Sequence, residues 1–223
     1  MTFSILARCE VTGQFGLAIS SSSPAVAARC SHVKAGVGAV ASQNITDPNL
    51  GPFLLAELEK GASAPSALVR AAQSHPNFEY RQLVVVDRDG IVAIHTGTKA
   101  LGICGEARSL NCAAAGNILA SDDVPENMVE AFLGAKGSLA SRLLTALAAG
   151  LEAGGELGPV RSAGIKITDK LAWPLIDLRS DWSERPIDDI QKALKVYEPQ
   201  ADAYVQRALH PDRAPSFGVP GSE

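Results

Sequence analysis

The chain has 223 residues, of which 46% are hydrophobic and 20% charged, and its formal net charge is −4. A chain of this length can bury a core without a disulfide or a metal ion, and its mild acidity argues against nucleic acid or an anionic membrane as the main partner. No apolar run approaches the roughly 20 residues that cross a bilayer. The first residues, MTFS, also lack the basic and apolar regions of a secretory signal. We therefore expect a cytoplasmic protein that binds a small molecule.

The predicted elements alternate between strands and helices along the chain. Strands are predicted at residues 3–8, 15–21 and 36–43, helices at 53–61 and 63–74, and strands at 82–86, 91–95 and 111–116. Helices follow at 126–133 and 138–151, strands at 160–167 and 173–178, and helices at 186–195 and 199–209. This order predicts an α+β fold with mainly antiparallel sheets. Residues 1–209 are expected to form one domain, followed by a loosely held tail at 210–223.

The cysteines do not indicate a metal site. Cys9, Cys30, Cys104 and Cys112 form no CxxC pair and do not cluster with the four histidines. In a reducing compartment such cysteines act as small buried hydrophobic residues. We expect neither a metal ion nor another cofactor.

Thr2 is the first candidate for chemistry. An N-terminal threonine carries a hydroxyl and an α-amine on one residue, and the amine has a reference pKa of about 7.7 to 8.0. Such an amine can take the hydroxyl proton near neutral pH without a histidine. While Met1 is attached, however, the amine of Thr2 lies in a peptide bond and cannot act as a base. By itself a threonine at position 2 is common and carries no functional meaning.

Several sequence blocks, one of which contains Thr2, bear on the interpretation of this residue. They lie in order at residues 1–8, 12–13, 15–19, 21–26, 34–44, 80–82, 115–117, 154–156, 161–163 and 177–179. Together they resemble a bacterial family known as domain of unknown function 1028. The family in turn resembles the N-terminal-nucleophile (Ntn) hydrolases, which implies a four-layer αββα sandwich and an N-terminal Thr, Ser or Cys that attacks an amide carbonyl.

The resemblance implies roles for further residues. Proteasome-type hydrolases carry a lysine at the start of the third strand, so Lys34 either lowers the pKa of the nucleophile or is a solvated strand-end residue. Ser21 and Ser22 end the strand beside the nucleophile and are candidates to bind substrate. Gln43 or Asn44 either supplies an amide donor to an oxyanion or bonds the following loop, residues 46–49.

Asn117, Arg81 and a set of four charged residues are further candidates. Asn117, after Gly116, is a second amide candidate for catalysis. Arg81 either binds a substrate carboxylate through its planar fork or pairs with a protein carboxylate. A set of charged residues is interpreted first as structural ion pairs, and it consists of Glu156, Arg161, Asp177 and Arg179. Glu156 stands where the family more often has Asp, which argues against a catalytic role there.

The function expected is a metal-independent hydrolase of a small non-peptide amide or a related C–N bond, with Thr2 as the nucleophile. Two alternatives remain: a cyclohydrolase-type enzyme on the same fold that needs no freed N-terminus, and a non-catalytic small-molecule-binding or scaffolding protein. The hydrolase hypothesis places the Lys34 ammonium within hydrogen-bond reach of the Thr2 hydroxyl, or one water away. Apolar runs at residues 131–133 and 143–144 suggest a homodimer or a larger homo-oligomer.

Overall fold

A computed structural model describes residues 1–218 as two antiparallel sheets with helices. The strands are β1 (Thr2–Arg8), β2 (Phe15–Ser21), β3 (Ser31–Lys34), β4 (Gly38–Asn44), β5 (Arg81–Asp87), β6 (Val92–Thr96), β7 (Gly105–Ser109), β8 (Cys112–Asn117), β9 (Ser162–Thr168) and β10 (Ile176–Ser180). The helices are α1 (Val26–Cys30), α2 (Leu50–Glu59), α3 (Ala64–Ser74), α4 (Val124–Gly134), α5 (Leu139–Glu152), α6 (Pro186–Tyr197) and α7 (Ala201–Leu209). The structure thus confirms the predicted α+β class with antiparallel sheets.

The first sheet has six strands in the order β10-β9-β2-β1-β8-β7, and the second has four in the order β3-β4-β5-β6. Strands β1 and β2 pair antiparallel in the middle of the first sheet, with Phe3 opposite Ser20. Almost every residue of the two strands is buried. A strand that is covered on both faces carries an apolar run instead of an alternating pattern, which explains sequences such as FGLAISS.

Three buried clusters show how these elements pack. One combines the first sheet with α4, α5 and α6, and includes Phe3, Met128, Leu143 and Ile190. The second lies between the two sheets, where Leu6 and Val84 meet, and the third combines the second sheet with α2 and α3. Each sheet therefore has one face against the other sheet and one face against helices.

The apolar runs behind the oligomer prediction are mostly core residues. Phe132, Leu143 and Leu144 are buried in the first cluster, and only Leu133 is exposed. These runs pack the helices onto the sheet, so they give no support to an interface. The homo-oligomer stays a prediction.

Three short elements were not predicted from the sequence. Helix α1 and strand β3 lie between β2 and β4, and β7 is an edge strand with the charged residues Glu106 and Arg108. A hairpin turn separates β3 from β4, with Gly36 at a positive φ of 67°. Lys34 therefore ends β3 instead of opening the third predicted strand, and its predicted position is wrong, whereas the strand predicted at 36–43 is present as β4.

The part of the predicted tail that is described lies against α7. The guanidinium of Arg207 donates hydrogen bonds to the carbonyl oxygens of Pro215 and Ser216 and lies 3.7 Å from the ring centre of Phe217. The end of the tail, residues 219–223, lies outside the described residues. Within residues 1–218, the helices are too short or too polar to span a bilayer.

Candidate active site

Strand register brings three predicted polar residues together at one end of the first sheet. Thr2 pairs with Asn117 of β8, and Phe3 pairs with Ser20 of β2, which sets Ser21 beside Thr2. Alternate residues of a strand point to opposite faces, so Thr2 shares the face of Ser4, whose hydroxyl reaches Gln43 of the second sheet. The three side chains therefore face the space between the sheets.

The Thr2 hydroxyl is enclosed by polar groups. The side chain is buried, with the residue 5% exposed, and Oγ1 donates to the carbonyl oxygen of Met1. It also lies 3.4 Å from Oγ of Ser21. The Ser21 hydroxyl donates to the same Met1 carbonyl oxygen at 2.5 Å and accepts the backbone N–H of Ser23 at 3.0 Å. Two hydroxyls thus converge on the carbonyl group attached to the Thr2 nitrogen.

A chain of side-chain amides links the two sheets beneath Thr2. Gln43 Nε2 donates to Gln82 Oε1 at 2.9 Å and to the Ala115 carbonyl at 3.1 Å. Gln82 Nε2 donates to the Gly116 carbonyl at 2.9 Å and to Thr96 Oγ1 at 3.0 Å. Backbone carbonyls accept only, so both glutamine amides have a fixed orientation. Both N–H groups of Gln43 are thus used within the protein, which favours a structural link over the expected oxyanion donor.

The same chain fixes the direction of Asn117. Its Nδ2 donates to Gln82 Oε1 at 3.0 Å, so its Oδ1 points to the other side of the amide group. This oxygen is fully buried and has no hydrogen-bond partner among residues 1–218. An unpaired buried acceptor is costly and indicates a missing donor. Asn117 therefore offers an acceptor, together with its second N–H, beside Thr2.

Glu156 is a site residue that the sequence analysis assigned to a structural ion pair. It forms an isolated antiparallel bridge with Leu119, just beyond the end of β8, and only 5% of the residue is exposed. Neither carboxylate oxygen has a hydrogen-bond or ion-pair partner within the described chain. Burial raises the pKa of Glu156 to about 7, while the Met1 ammonium and nearby Ser22 act in the opposite direction. The ion-pair assignment of Glu156 is wrong.

The other members of the charged set do form ion pairs. Arg179 Nε lies 2.9 Å from Asp177 Oδ1, and Lys166 Nζ lies 3.4 Å from Asp177 Oδ2. Arg161 lies 3.8 Å from the carboxylate of Glu184. These pairs hold the β9–β10 end of the sheet and the segment after it, away from Glu156.

Lys34 lies at the opposite end of the sheets from Thr2. It pairs with Gly38, which is five residues along β4 from Gln43, a distance of roughly 16 Å along a strand. Its ammonium lies 2.6 Å from Glu59 Oε2, and 47% of its side chain is exposed. The expectation that Lys34 contacts the Thr2 hydroxyl is wrong, because the β3–β4 turn reverses the chain after Lys34.

Asn44 and Arg81 lie at the Thr2 end of the second sheet and are opposite each other. Asn44 Nδ2 donates to the Tyr80 carbonyl at 2.6 Å, and its Oδ1 accepts the Leu101 N–H at 3.2 Å. The Arg81 guanidinium donates to the Ile45 carbonyl, while its buried Nε is unpaired. Both side chains hold loops at the rim, but Asn44 bonds Tyr80 and Leu101 instead of the loop at residues 46–49, and Arg81 has no carboxylate partner among residues 1–218.

Within residues 1–218, His, Cys, Asp and Glu side chains do not gather in groups of three or more that could hold a metal ion. The pattern that sequence reasoning missed is the segment around Glu156. Glu156 is placed by its pairing with Leu119, which lies 37 residues earlier in the chain and two residues after Asn117 at the end of β8. The only local signal is the turn before it, where Gly154 and Gly155 have positive φ values of 112° and 58°.

The comparisons with known proteins support the resemblance. Residues 2–190 match the family described as "Family of unknown function (DUF1028)". The chain belongs to the DUF1028 family. A crystal structure of protein SPO2555 from Silicibacter pomeroyi, of the same family, superposes on this DUF1028 protein with a TM-score of 0.81 and 28% identity. The match covers 87% of this chain and 88% of that chain.

A second solved structure, Anbu (ancestral beta-subunit) from Yersinia bercovieri, is more distant from this DUF1028 protein. It has 12% identity and a TM-score of 0.39, over 92% of this chain and 97% of that one. A score this low establishes no shared fold. No curated protein matches the chain.

Proposed function

We propose that this DUF1028 protein is an Ntn-type hydrolase that cleaves a small amide or related C–N bond with Thr2 as the nucleophile once Met1 is removed. The observation that carries the proposal is the convergence of the Thr2 and Ser21 hydroxyls on the carbonyl group attached to the Thr2 nitrogen. The two hydroxyls thus already bind a carbonyl oxygen, as attack by Oγ1 on a substrate carbonyl held by Ser21 requires. The packing of two facing sheets between helices supports a four-layer αββα fold of the Ntn type.

The chemistry needs only groups of the chain and one water. The freed α-amine of Thr2 takes the proton of Oγ1, and Oγ1 attacks the carbonyl carbon of the substrate. The C–N bond breaks as the leaving nitrogen receives that proton from the ammonium. Water, deprotonated by the same amine, then cleaves the acyl ester, which releases the acid and restores the Thr2 hydroxyl.

Ser21 and Asn117 have distinct roles in this scheme. Ser21 donates to the carbonyl oxygen, and the N–H of Ser23 occupies one of its lone pairs, which orients its hydroxyl. Such a donor stabilises the negative oxygen that develops in the transition state. The unpaired Oδ1 of Asn117 accepts a hydrogen from the freed Thr2 amine and holds the amine's lone pair toward Oγ1.

The test is a screen of small amides, ureas and cyclic imides with Met1-free protein, whose state is checked by intact mass. We expect one class to be hydrolysed, with kcat/KM at least about 10³-fold lower for Thr2→Ala and within roughly tenfold of the native value for Thr2→Ser, which keeps a hydroxyl. Equal activity of Thr2→Ala would overturn the proposal. Full activity with Met1 still attached would also overturn it and would favour the cyclohydrolase alternative.

A further inference from the structure

We infer that the acyl half of the substrate carries a protonated amine and that Glu156 binds this amine. The inference rests on the proposed function, because it takes Thr2 as the residue that receives the acyl group. It assigns to Glu156 the selection of substrate class, and it predicts α-amino acyl amides, such as amino acid amides, as the best substrates.

Met1 shows where an acyl group lies at this site. The methionyl group is an aminoacyl group on the nitrogen of Thr2, and an acyl group on Oγ1 of the same residue would lie only a few bonds away. The carbonyl oxygen of Met1 accepts hydrogen bonds from Thr2 Oγ1 and from Ser21 Oγ. The position of the α-amino group of Met1 is therefore a guide to the substituent on the α-carbon of a substrate.

Met1 lies beside the segment that carries Glu156, because a Cβ at Gly158, two residues after Glu156, would lie 3.3 Å from Cε of Met1. The ammonium of Met1 accordingly lowers the pKa of Glu156, against the larger effect of burial. Lys and Arg side chains do not come within ion-pair distance of Glu156 in the described chain, whereas Asp177 has both Lys166 and Arg179 as partners. A carboxylate that is buried this deeply without a donor is strongly unfavourable. A cationic group of the substrate would supply the missing donor.

The groups around Glu156 favour a small ammonium. One carboxylate with one neighbouring hydroxyl, from Ser22, suits a compact point charge with three N–H donors better than the wide planar fork of a guanidinium. The α-substituent has room as well. A Cβ at Gly158 would lie 3.3 Å from Cε and 3.6 Å from Sδ of Met1, so the methionyl side chain runs along this glycine. A substrate side chain up to the length of methionine can occupy the same space along Gly158.

The experiment compares amides that differ only in the amine. L-Methioninamide is paired with 4-(methylthio)butanamide, and L-alaninamide with propanamide, using Met1-free protein. A charge-assisted contact contributes about 1.5 to 3 kcal/mol, which corresponds to a roughly 10- to 100-fold preference in kcat/KM for the amine-bearing member. Glu156→Gln is expected to reduce this ratio to below about threefold, whereas Glu152→Gln, an exposed residue of α5, leaves the ratio unchanged.

A Gly158→Val variant tests whether the substrate side chain lies along Gly158, as the side chain of Met1 does. The added side chain occupies the space along Met1, so we expect the kcat/KM of L-methioninamide to fall more than that of L-alaninamide. An equal fall for both amides would mean that the α-substituent lies elsewhere, and it would overturn the orientation inferred from Met1.

A binding measurement separates this inference from the proposed function. Met1-free Thr2→Ala protein is titrated with L-methioninamide by calorimetry, with and without Glu156→Gln. Binding that Glu156→Gln abolishes supports the inference even if Thr2 is not the nucleophile. If neither protein binds L-methioninamide, the inference is overturned. It is also overturned if the amine-free amides have the higher kcat/KM, or if Glu156→Gln lowers the kcat/KM of both members of a pair equally. The proposed function stands in those cases if Thr2→Ala remains inactive.

Discussion

Polar side chains at the two ends of the facing sheets differ in their burial and in their partners. At the end that contains Lys34, the charged side chains lie near the surface and pair with each other, as Lys34 does with Glu59 and Lys166 with Asp177. At the end that begins with Thr2, the polar side chains are buried, and the Asn117 Oδ1 and Glu156 oxygens have no partner within the described chain. The charged side chains named at the Lys34 end are therefore paired within the protein, whereas Asn117 and Glu156 at the Thr2 end lack donors.

The Lys34 end has one comparable feature, and it differs in kind. A cavity of about 400 Å³ beside Lys34 is lined in part by His32, whose buried Nε2 is unpaired. Burial lowers the pKa of His32, which keeps the imidazole neutral. An unpaired neutral ring nitrogen costs much less than an unpaired carboxylate. Burial without a partner, and not the number of charged residues, therefore marks the candidate site.

The largest expected effect concerns the hydroxyl donor at the Thr2 end. Ser21→Ala removes the hydroxyl that reaches the Met1 carbonyl, and we expect kcat to fall by about 10²- to 10³-fold. Ser20→Ala is the matched control, because Ser20 points to the opposite face and donates to the Ser162 carbonyl at 3.0 Å. Steady-state kinetics on the best amide of the screen checks the prediction. Equal losses in both variants would contradict the assignment of Ser21.

The next effect concerns the chain of side-chain amides that Gln43, Gln82 and Asn117 form at the Thr2 end. Gln82→Leu removes the partner of Gln43 and Asn117 and also the Nε2 bond to the Gly116 carbonyl. Because several buried groups lose their bonds, we expect unfolding free energy to fall by roughly 2 to 4 kcal/mol. Thr96→Val removes only the bond to Gln82 Nε2 and should cost about 1 kcal/mol. Urea unfolding measures both, and equal effects would show that the chain is not cooperative.

A third effect concerns the pH dependence of stability. Because the pKa of Glu156 is raised to about 7 by burial, its contribution to stability is present below its unfolded pKa and is lost as the pH rises toward 7. Glu156→Gln should therefore be more stable than the native protein at pH 8, by about 1 to 3 kcal/mol, and this advantage should shrink below pH 5.

Glu57→Gln is the control of opposite sign. Hydrogen bonds from Lys60 and Arg70 lower the pKa of Glu57, so its contribution is lost as the pH falls. Thermal melts from pH 4 to 8 measure both variants. A constant difference between Glu156→Gln and the native protein would contradict the burial of an unpaired carboxylate.

The smallest effect is expected at the Lys34 end. The Lys34–Glu59 pair is half exposed on both sides, and such pairs contribute less than about 1 kcal/mol. Lys34→Ala should therefore change kcat/KM by less than about twofold and stability by less than about 1 kcal/mol. A large loss of activity in this variant would restore the role that the sequence suggested for Lys34.

The sequence predicted what depends on local pattern. The β1–β2 hairpin follows from two apolar runs around a turn, and the position of Ser21 beside Thr2 follows from that hairpin. The placement of Lys34 failed because Gly36 turns the chain within four residues, and a four-residue strand leaves little periodicity to detect. Glu156 was missed because its position depends on the pairing with Leu119, a long-range contact without a sequence period.

The most direct test of the account compares one chain with and without Met1. The two forms are prepared by treating the purified protein with a methionine aminopeptidase or leaving it untreated, and intact mass identifies each. Each form is then mixed rapidly with L-alanine p-nitroanilide. If Thr2 forms an acyl-enzyme, the Met1-free form releases a burst of up to one p-nitroaniline per chain before steady turnover, or turns over without a burst if deacylation is faster, and the Met1-bearing form releases none. Equal release by both forms, or release by Met1-free Thr2→Ala, would contradict the central claim that the freed Thr2 is the nucleophile.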